Sequence, residues 1–169
     1  KYSLVEDYLI FIELKKKFGK DIPLIPLKDT GNVVKGNATE IDWTTICPKK
    51  SISEEVYLIG NPPYQVSSRQ DEYQKRDMNQ VFQGFPSYKN LDYIACWFKK
   101  GVDYIQGSDA QLSFVSTNSI CQGEQVALIW PYILKLSEIG FAHTSFKWTN
   151  NAKKNAGVSC VIVSLRNIS

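Results

Sequence analysis

The chain has 169 residues, of which 43% are hydrophobic, 12% aromatic and 22% charged. This composition is typical of a globular domain and excludes a disordered, collagen-like or repeat protein. No apolar run approaches the ~20 residues that cross a bilayer, and the acidic Glu6 and Asp7 near the start are unlike a signal peptide. The net charge of +3 permits contact with a polyanion but does not establish one.

The cysteines and the histidine give no sign of a metal site. No two cysteines form a CxxC pair, and His143 is the single histidine of the sequence. Zinc sites and disulfide-rich scaffolds need closer spacing of such residues, so we expect reduced thiols, no metal and a cytoplasmic location.

The first half of the chain predicts one helix and two strands. Apolar residues at helical spacing predict a helix over residues 3–18. Short apolar runs predict strands at 32–35 and 55–59, the second ending at Gly60 because two prolines follow it. Residues 65–89 contain few apolar side chains, which predicts a long, mobile connection.

The second half predicts two helices and three strands, and the last two strands are separated by too short a loop to be parallel. Helices that alternate with strands, followed by such a pair, predict an α/β fold with a mostly parallel sheet that ends in an antiparallel hairpin. These elements are a helix capped by Asn90 that runs to about 106, a strand at 112–115, a helix at 125–136 kinked at Pro131, and strands at 141–146 and 158–165.

Ligands of parallel α/β sheets bind beyond the carboxyl ends of the strands. The predicted strand ends are Gly36-Asn37, Asn61-Pro62-Pro63-Tyr64 and Ser116-Thr117-Asn118. In the second, prolines have no N–H, so their carbonyls and the Asn61 oxygen offer only acceptors, which suit an amino group. The Tyr64 ring can stack on the molecule that carries that amino group. A plain turn is the alternative interpretation.

These four residues resemble the catalytic motif of S-adenosylmethionine-dependent amino-methyltransferases. Together with other segments, they make the chain similar to DNA adenine methyltransferases, especially the MmeI-like restriction-modification group. The supporting segments are Gly36-Asn37-Ala38 with Asp42-Trp43, Ile59 to Tyr64, Leu91 to Trp97, Phe114 to Gln125, and Phe146-Lys147-Trp148 with Asn150 to Lys153.

The resemblance implies a Rossmann-like class I methyltransferase fold and methyl transfer from S-adenosylmethionine to the N6 amine of an adenine flipped out of DNA. It implies that Asn61, Pro62, Pro63 and Tyr64 are catalytic. Phe146, or Trp148 in its place, would stack on the second face of the base. Asn37 and Ala38, with Asn61, would bind the cofactor, although Asn37 occupies a place where the family usually has an acidic residue.

The family fold begins with a strand, a glycine-rich loop and a second strand, and no such segment precedes Gly36. We therefore expect residues 1–169 to form a single truncated catalytic domain without a target-recognition domain. The two missing strands would leave a gap between the strands at 33–35 and 56–60. Exposed strand edges predict self-association or a rearranged N-terminal segment. We also expect weak or absent S-adenosylmethionine binding, and activity only with the remainder of the parent methyltransferase chain on double-stranded DNA.

Two other functions remain open at this point. The same four residues could serve a methyltransferase of protein glutamine or RNA bases, or the chain could be a non-catalytic interaction module that keeps the fold. Individual roles also have alternatives. Phe146 could be an ordinary core aromatic, and Lys153 and Lys154 could contact DNA phosphates or lie in a solvated loop.

Overall fold

A computed structural model describes residues 34–147 and 158–168, together with Lys16 and Gly19. The chain divides into two compact units, Lys1–Val33 and Val34–Ser169. The sheet and the helices that accompany it belong to the second. The helix predicted at 3–18 lies outside the described residues, apart from Lys16. The single-domain organisation stays a prediction.

Four strands form one sheet in the described part of the chain, in the order β1-β2-β4-β3. Strand β1 is parallel to β2, whereas β4 is antiparallel to both β2 and β3. The α/β class and the terminal antiparallel hairpin are confirmed, and one of the three pairings is parallel. The strands are β1 (Tyr57–Gly60), β2 (Gln111–Thr117), β3 (Ser137–Lys147) and β4 (Ser159–Asn167).

Four α-helices accompany the sheet in the same described residues: α1 (Trp43–Ile46), α2 (Glu72–Val81), α3 (Ala95–Ile105) and α4 (Gly123–Leu136). The predictions of α3 and α4 are confirmed. Asn90 is not the cap of α3, because that position is held by Ile94 and Asn90 ends a separate 3-10 turn. Helix α4 continues through Pro131, where the kink stays a prediction. No helix of the described part is long and apolar enough to span a membrane.

Two predictions about irregular and regular backbone were wrong. Residues 65–89 are not a structureless connection, because Asp71 and Gln74 form a reciprocal capping box that starts α2. The strand predicted at 32–35 does not form at its described residues, since Val34 and Lys35 lie in irregular backbone. A run of two valines is too short a signal to specify a strand without a pairing partner.

The core lies between α3 and the sheet. Strand β2 alternates buried and half-buried residues, so that Leu112 and Phe114 point into the core. Phe98 of α3 meets Phe114 edge to face, with ring centroids 5.6 Å apart. Gly101 allows this close approach, because a Cβ atom there would lie 2.7 Å from Leu112 Cδ2. The resulting packing fixes the direction of β2 and therefore the position of its carboxyl end.

Substitution of Gly101 by valine is expected to lower the free energy of unfolding by about 2–3 kcal/mol, because the added atoms overpack a buried contact. Urea denaturation followed by circular dichroism measures the change. Ala127→Val is the matched control, since Ala127 is an exposed residue of α4 and the change there costs only helix propensity, roughly 0.5 kcal/mol. Equal losses in the two variants would contradict the packing argument.

Candidate active site

The motif Asn61 to Tyr64 forms a corner at the edge of the sheet where β1 and β2 both end. These strands are parallel, with Gly60 opposite Phe114, so their carboxyl ends meet at the same edge. Pro62 is buried and anchors the corner, while Asn61 and Pro63 are exposed. Tyr64 is 41% exposed. The corner thus presents an amide and an aromatic ring to solvent from a rigid base.

The hydrogen-bonding groups of this corner are open to a ligand. Within residues 34–147 and 158–168, the Asn61 side chain is not engaged in any hydrogen bond, and neither proline has an N–H. An amide oxygen accepts up to two hydrogen bonds. The Asn61 oxygen and the proline carbonyls can therefore accept hydrogen bonds from the N–H groups of an amino group.

The end of β2 is fixed beside the corner by Asp92, a buried residue just before α3. The Ser119 hydroxyl donates to Asp92 Oδ2 at 2.6 Å and lies 2.7 Å from the Thr117 hydroxyl. The backbone N–H of Asp92 donates to Gln125 Oε1 at 2.9 Å. Asp92 thereby joins the residues after β2, the start of α4 and the segment that leads into α3.

The chain that leaves the corner is held by the same segment. The Tyr93 backbone N–H donates to the Gln65 carbonyl at 2.9 Å. The Gln70 side chain, which is buried, donates to the Leu91 carbonyl at 2.9 Å. These hydrogen bonds fix the direction in which the backbone departs after Tyr64, so the corner is braced on both sides.

The Asn37 side chain is largely committed to local structure. Its Oδ1 accepts from the Thr39 backbone N–H at 3.1 Å and from the Thr39 hydroxyl at 2.8 Å. Its Nδ2 donates to Asp77 Oδ2 at 3.0 Å. One N–H of the amide therefore remains. Asn37 can offer that donor to a ring nitrogen of a cofactor, but it has no acceptor left for an exocyclic amine.

Asp77 of α2 is the buried charge behind Asn37, with 3% of its surface exposed. Its Oδ2 also accepts from the Tyr93 hydroxyl at 2.6 Å, and its buried Oδ1 has no hydrogen-bond partner among the described residues. Burial by itself raises the pKa of Asp77. The hydrogen bonds that Tyr93 and Asn37 donate, the nearby Thr39 hydroxyl and the positive charge of Arg76 all lower it. Together they outweigh burial, so the pKa of Asp77 lies below its ordinary value of 3.8.

The loop that carries Asn37 is held on α3 by Lys100. The Lys100 ammonium donates to the carbonyls of Thr39 and Ile41 at 3.0 and 2.7 Å and lies over the Trp43 ring, 5.5 Å from its centroid. The Trp43 indole N–H donates to the Ala38 carbonyl at 2.8 Å. Asn37 and Ala38 are thus placed by contacts with α2 and α3 and not by a strand end.

Phe146 lies at the same edge of the sheet as the corner but on another strand. It pairs with Cys160, which in turn pairs with Thr117 at the end of β2. Two strands separate it from β1, or ~14 Å, since neighbouring strands lie ~4.8 Å apart. Its half-buried ring meets His143 edge to face, with centroids 5.6 Å apart. Trp148, Lys153 and Lys154 lie outside the described residues.

Several residues that build this site were not predicted from the sequence. Asp92 lies in the segment Leu91 to Trp97 that carries the family resemblance, but neither Asp92 nor Asp77 was predicted to have a role. The Asp71 and Gln74 capping pair, followed by apolar residues at Met78 and Phe82, is a helix signal that would have located α2. Asp77 itself has no local signal, because its partners Asn37 and Tyr93 are distant in the chain.

Comparisons with known proteins show which family the chain is similar to. A family model described as the MmeI DNA-methyltransferase domain matches residues 3–169. DNA methyltransferase A of Bacillus subtilis (strain 168) is 45% identical over 153 residues, which cover 89% of this chain and 17% of that protein. The solved structure of the type IIL restriction-modification enzyme MmeI in complex with DNA is 40% identical, with a TM-score of 0.78. That match covers 94% of this chain and 21% of the MmeI chain. The chain therefore spans about a fifth of the length of these relatives.

Proposed function

The chain belongs to the family of MmeI DNA-methyltransferase domains, and we propose that it methylates the N6 amine of adenine in duplex DNA. It would act as the catalytic part of a longer restriction-modification protein, because both relatives are about five times its length. The observation that carries the proposal is the exposed, unengaged amide of Asn61 on a corner stiffened by prolines.

The proposed chemistry is positioning of an amine. The Asn61 oxygen and the Pro62 carbonyl would each accept a hydrogen bond from one N–H of the adenine amine and turn its lone pair toward the methyl donor. As the nitrogen forms its bond to the methyl carbon, the bond from that carbon to the donor's sulfur would break, with its electron pair left on the sulfur. Positive charge develops on the nitrogen and would be removed when the amine loses one proton to water. Because both acceptors carry partial negative charge, they stabilise the transition state more than the ground state. This step needs no covalent intermediate with the protein.

The target base would leave the duplex to reach the corner. The exposed Tyr64 ring supplies one stacking face. For the second face we propose Phe146 or Trp148. Phe146 would have to reach across two strands, whereas Trp148 follows directly after Lys147, the end of β3. Because β3 is the edge strand farthest from β1, we favour Trp148, which follows the end of the strand, over Phe146 within it.

S-adenosylmethionine would supply an electrophilic methyl group at this site. Among the described residues, Asn37 and Ala38 would contact its adenine, with Asn37 giving its one remaining N–H to a ring nitrogen. The contacts of Asp77 and Lys100 hold this loop in place before the cofactor binds. The donor set thus fits an adenine ring edge that offers an acceptor.

The test is methyl transfer by the longer protein from labelled S-adenosylmethionine to duplex DNA, followed by nucleoside digestion. We expect the label in N6-methyladenine. Label in N4-methylcytosine would overturn the adenine assignment, because the same two acceptors fit any planar amine. Label on RNA or on a protein glutamine, with none on DNA, would overturn the DNA assignment.

We also propose that the 169-residue chain by itself associates through β1. This strand pairs with β2 alone among the described residues, and Tyr57 and Ile59 on one of its faces are 58% and 82% exposed. An unpaired apolar edge favours pairing with another chain. Light scattering is expected to show a mass that rises with concentration. A constant monomer mass across the concentration range would contradict this proposal.

A further inference from the structure

A cleft of about 620 Å³ opens beside the chain that leaves the corner. Its walls come from Ser67, from helix α2 and from the turn that holds Tyr88 and Lys89. Ser67 follows Tyr64 by three residues, a distance of at most ~11 Å along an extended chain. The cleft is therefore a neighbour of the proposed adenine site.

The charges of this cleft favour an anion. Lys75, Arg76 and Lys89 line it, against one carboxylate, that of Glu72. Arg76 already pairs with Glu40 at 3.0 Å. In the described part of the chain, the ammonium groups of Lys75 and Lys89 have neither an ion pair nor a hydrogen bond, and both residues are exposed. Two cations are thus available to a ligand.

The wall that carries Lys89 is rigid. Ser87 has a left-handed backbone conformation, with φ of 55°, which reverses the chain before Tyr88. The Tyr88 ring then stacks on Phe82, with centroids 6.2 Å apart, and its hydroxyl donates to Asn79 Oδ1 at 2.8 Å. A backbone held in this way fixes where the Lys89 side chain starts on the wall of the cleft.

We propose that this cleft binds the phosphodiester backbone of DNA next to the adenine held by the corner, with Lys75 and Lys89 as the phosphate contacts. The inference rests on the function proposed above and adds the place where the strand is gripped. Phosphate contacts set the position of a protein on DNA without reading its sequence. Contacts close to the corner would hold the strand while the base is out of the stack.

The test compares duplex DNA binding by the longer protein with that of the Lys75→Gln/Lys89→Gln variant across salt concentrations. Each phosphate contact contributes ~0.9 to the slope of log affinity against log salt, so the variant slope should fall by about 1.8 and affinity at 0.1 M salt by roughly ten- to fiftyfold. Lys50→Gln/Lys135→Gln is the matched control. It removes the same charge from exposed residues, of which Lys50 precedes β1 and Lys135 lies in the last turn of α4, and it should change the slope by less than ~0.3.

A substitution that should strengthen DNA binding separates a charge effect from poor folding, because a poorly folded variant would only lose affinity. Glu72→Gln removes the carboxylate of the cleft and is expected to tighten DNA binding by roughly two- to threefold. If the unchanged protein binds and methylates DNA while the double variant keeps its affinity and slope, the cleft assignment is overturned and the proposed function stands. If the unchanged protein does not bind duplex DNA, both the cleft assignment and the proposed function are overturned.

Discussion

Replacement of Asn61 by alanine is expected to slow methyl transfer to DNA by roughly 10²–10³-fold, because it removes one of two acceptors for the amine in the transition state. The free energy of unfolding should stay within about 0.5 kcal/mol of the unchanged protein, since Asn61 is exposed and its side chain has no hydrogen bond among the described residues. Single-turnover assays measure the first quantity and urea denaturation the second. Loss of activity without loss of stability is the signature of a residue that touches the substrate.

Two further variants make this result specific. Asn61→Asp keeps an acceptor oxygen at the same place and should retain more activity than Asn61→Ala. Gln83→Ala removes another exposed amide and should change neither rate nor stability. Full activity of Asn61→Ala would remove the corner from catalysis and would favour a non-catalytic module that keeps the fold.

The corner was predictable because its chemistry is local. Four consecutive residues supply the amide, the locked backbone and the ring, and two prolines after an apolar run place them at a strand end. Strand β2 and helix α3 were predictable for a similar reason. In the strand the apolar residues alternate with polar ones, and in the helix they recur every three to four residues. Polar segments bound both elements, so the sequence shows which face is buried.

The buried face of helix α2, in contrast, could not be predicted from a local pattern. Its buried residues are Met78 and the charged Asp77, and a carboxylate normally marks the exposed face of a helix. Asp77 is buried because Asn37 and Tyr93 donate to it from 40 and 16 residues away. Contacts across such separations leave no trace in a local pattern, which is also why the hydrogen bond between Ser119 and Asp92 went unseen.

Exchange of the amide and the carboxylate at positions 37 and 77 is expected to reveal strong coupling between them. Asn37→Asp alone would place two carboxylates where Nδ2 and Oδ2 are now 3.0 Å apart. It should lower the free energy of unfolding at pH 7 by about 3 kcal/mol, from a lost charge-assisted hydrogen bond and like-charge repulsion. Asp77→Asn alone should cost about 1–2 kcal/mol, because Tyr93 and Asn37 then donate to a neutral oxygen.

The double variant Asn37→Asp/Asp77→Asn should recover most of this loss. The new carboxylate at 37 accepts from both Thr39 groups and from the new amide nitrogen at 77. That nitrogen takes the place of Oδ2, which accepts from both Asn37 and Tyr93 in the unchanged protein, and its second N–H can donate to the Tyr93 hydroxyl, which then acts as an acceptor. The coupling energy of the cycle is then about 2 kcal/mol or more, near the top of the range for residues in direct contact. Gln80→Glu is the control, since it adds a carboxylate to an exposed position of α2. Additive losses would show that the hydrogen bond between Asn37 and Asp77 does not stabilise the fold.

The pH dependence of stability distinguishes the unchanged protein from the Asn37→Asp variant. The folded-state pKa of Asp77 lies below its ordinary value of 3.8, so its contribution is present above that value and is lost as pH falls through the folded-state pKa. In Asn37→Asp, two adjacent carboxylates raise one folded-state pKa instead. The folded variant then binds a proton more readily than the unfolded chain does. Its free energy of unfolding should therefore approach that of the unchanged protein as pH falls from 7 toward 4. Urea midpoints measured at pH 7, 5.5 and 4 test this, and a deficit that stays constant or grows on acidification would contradict the proximity of the two groups.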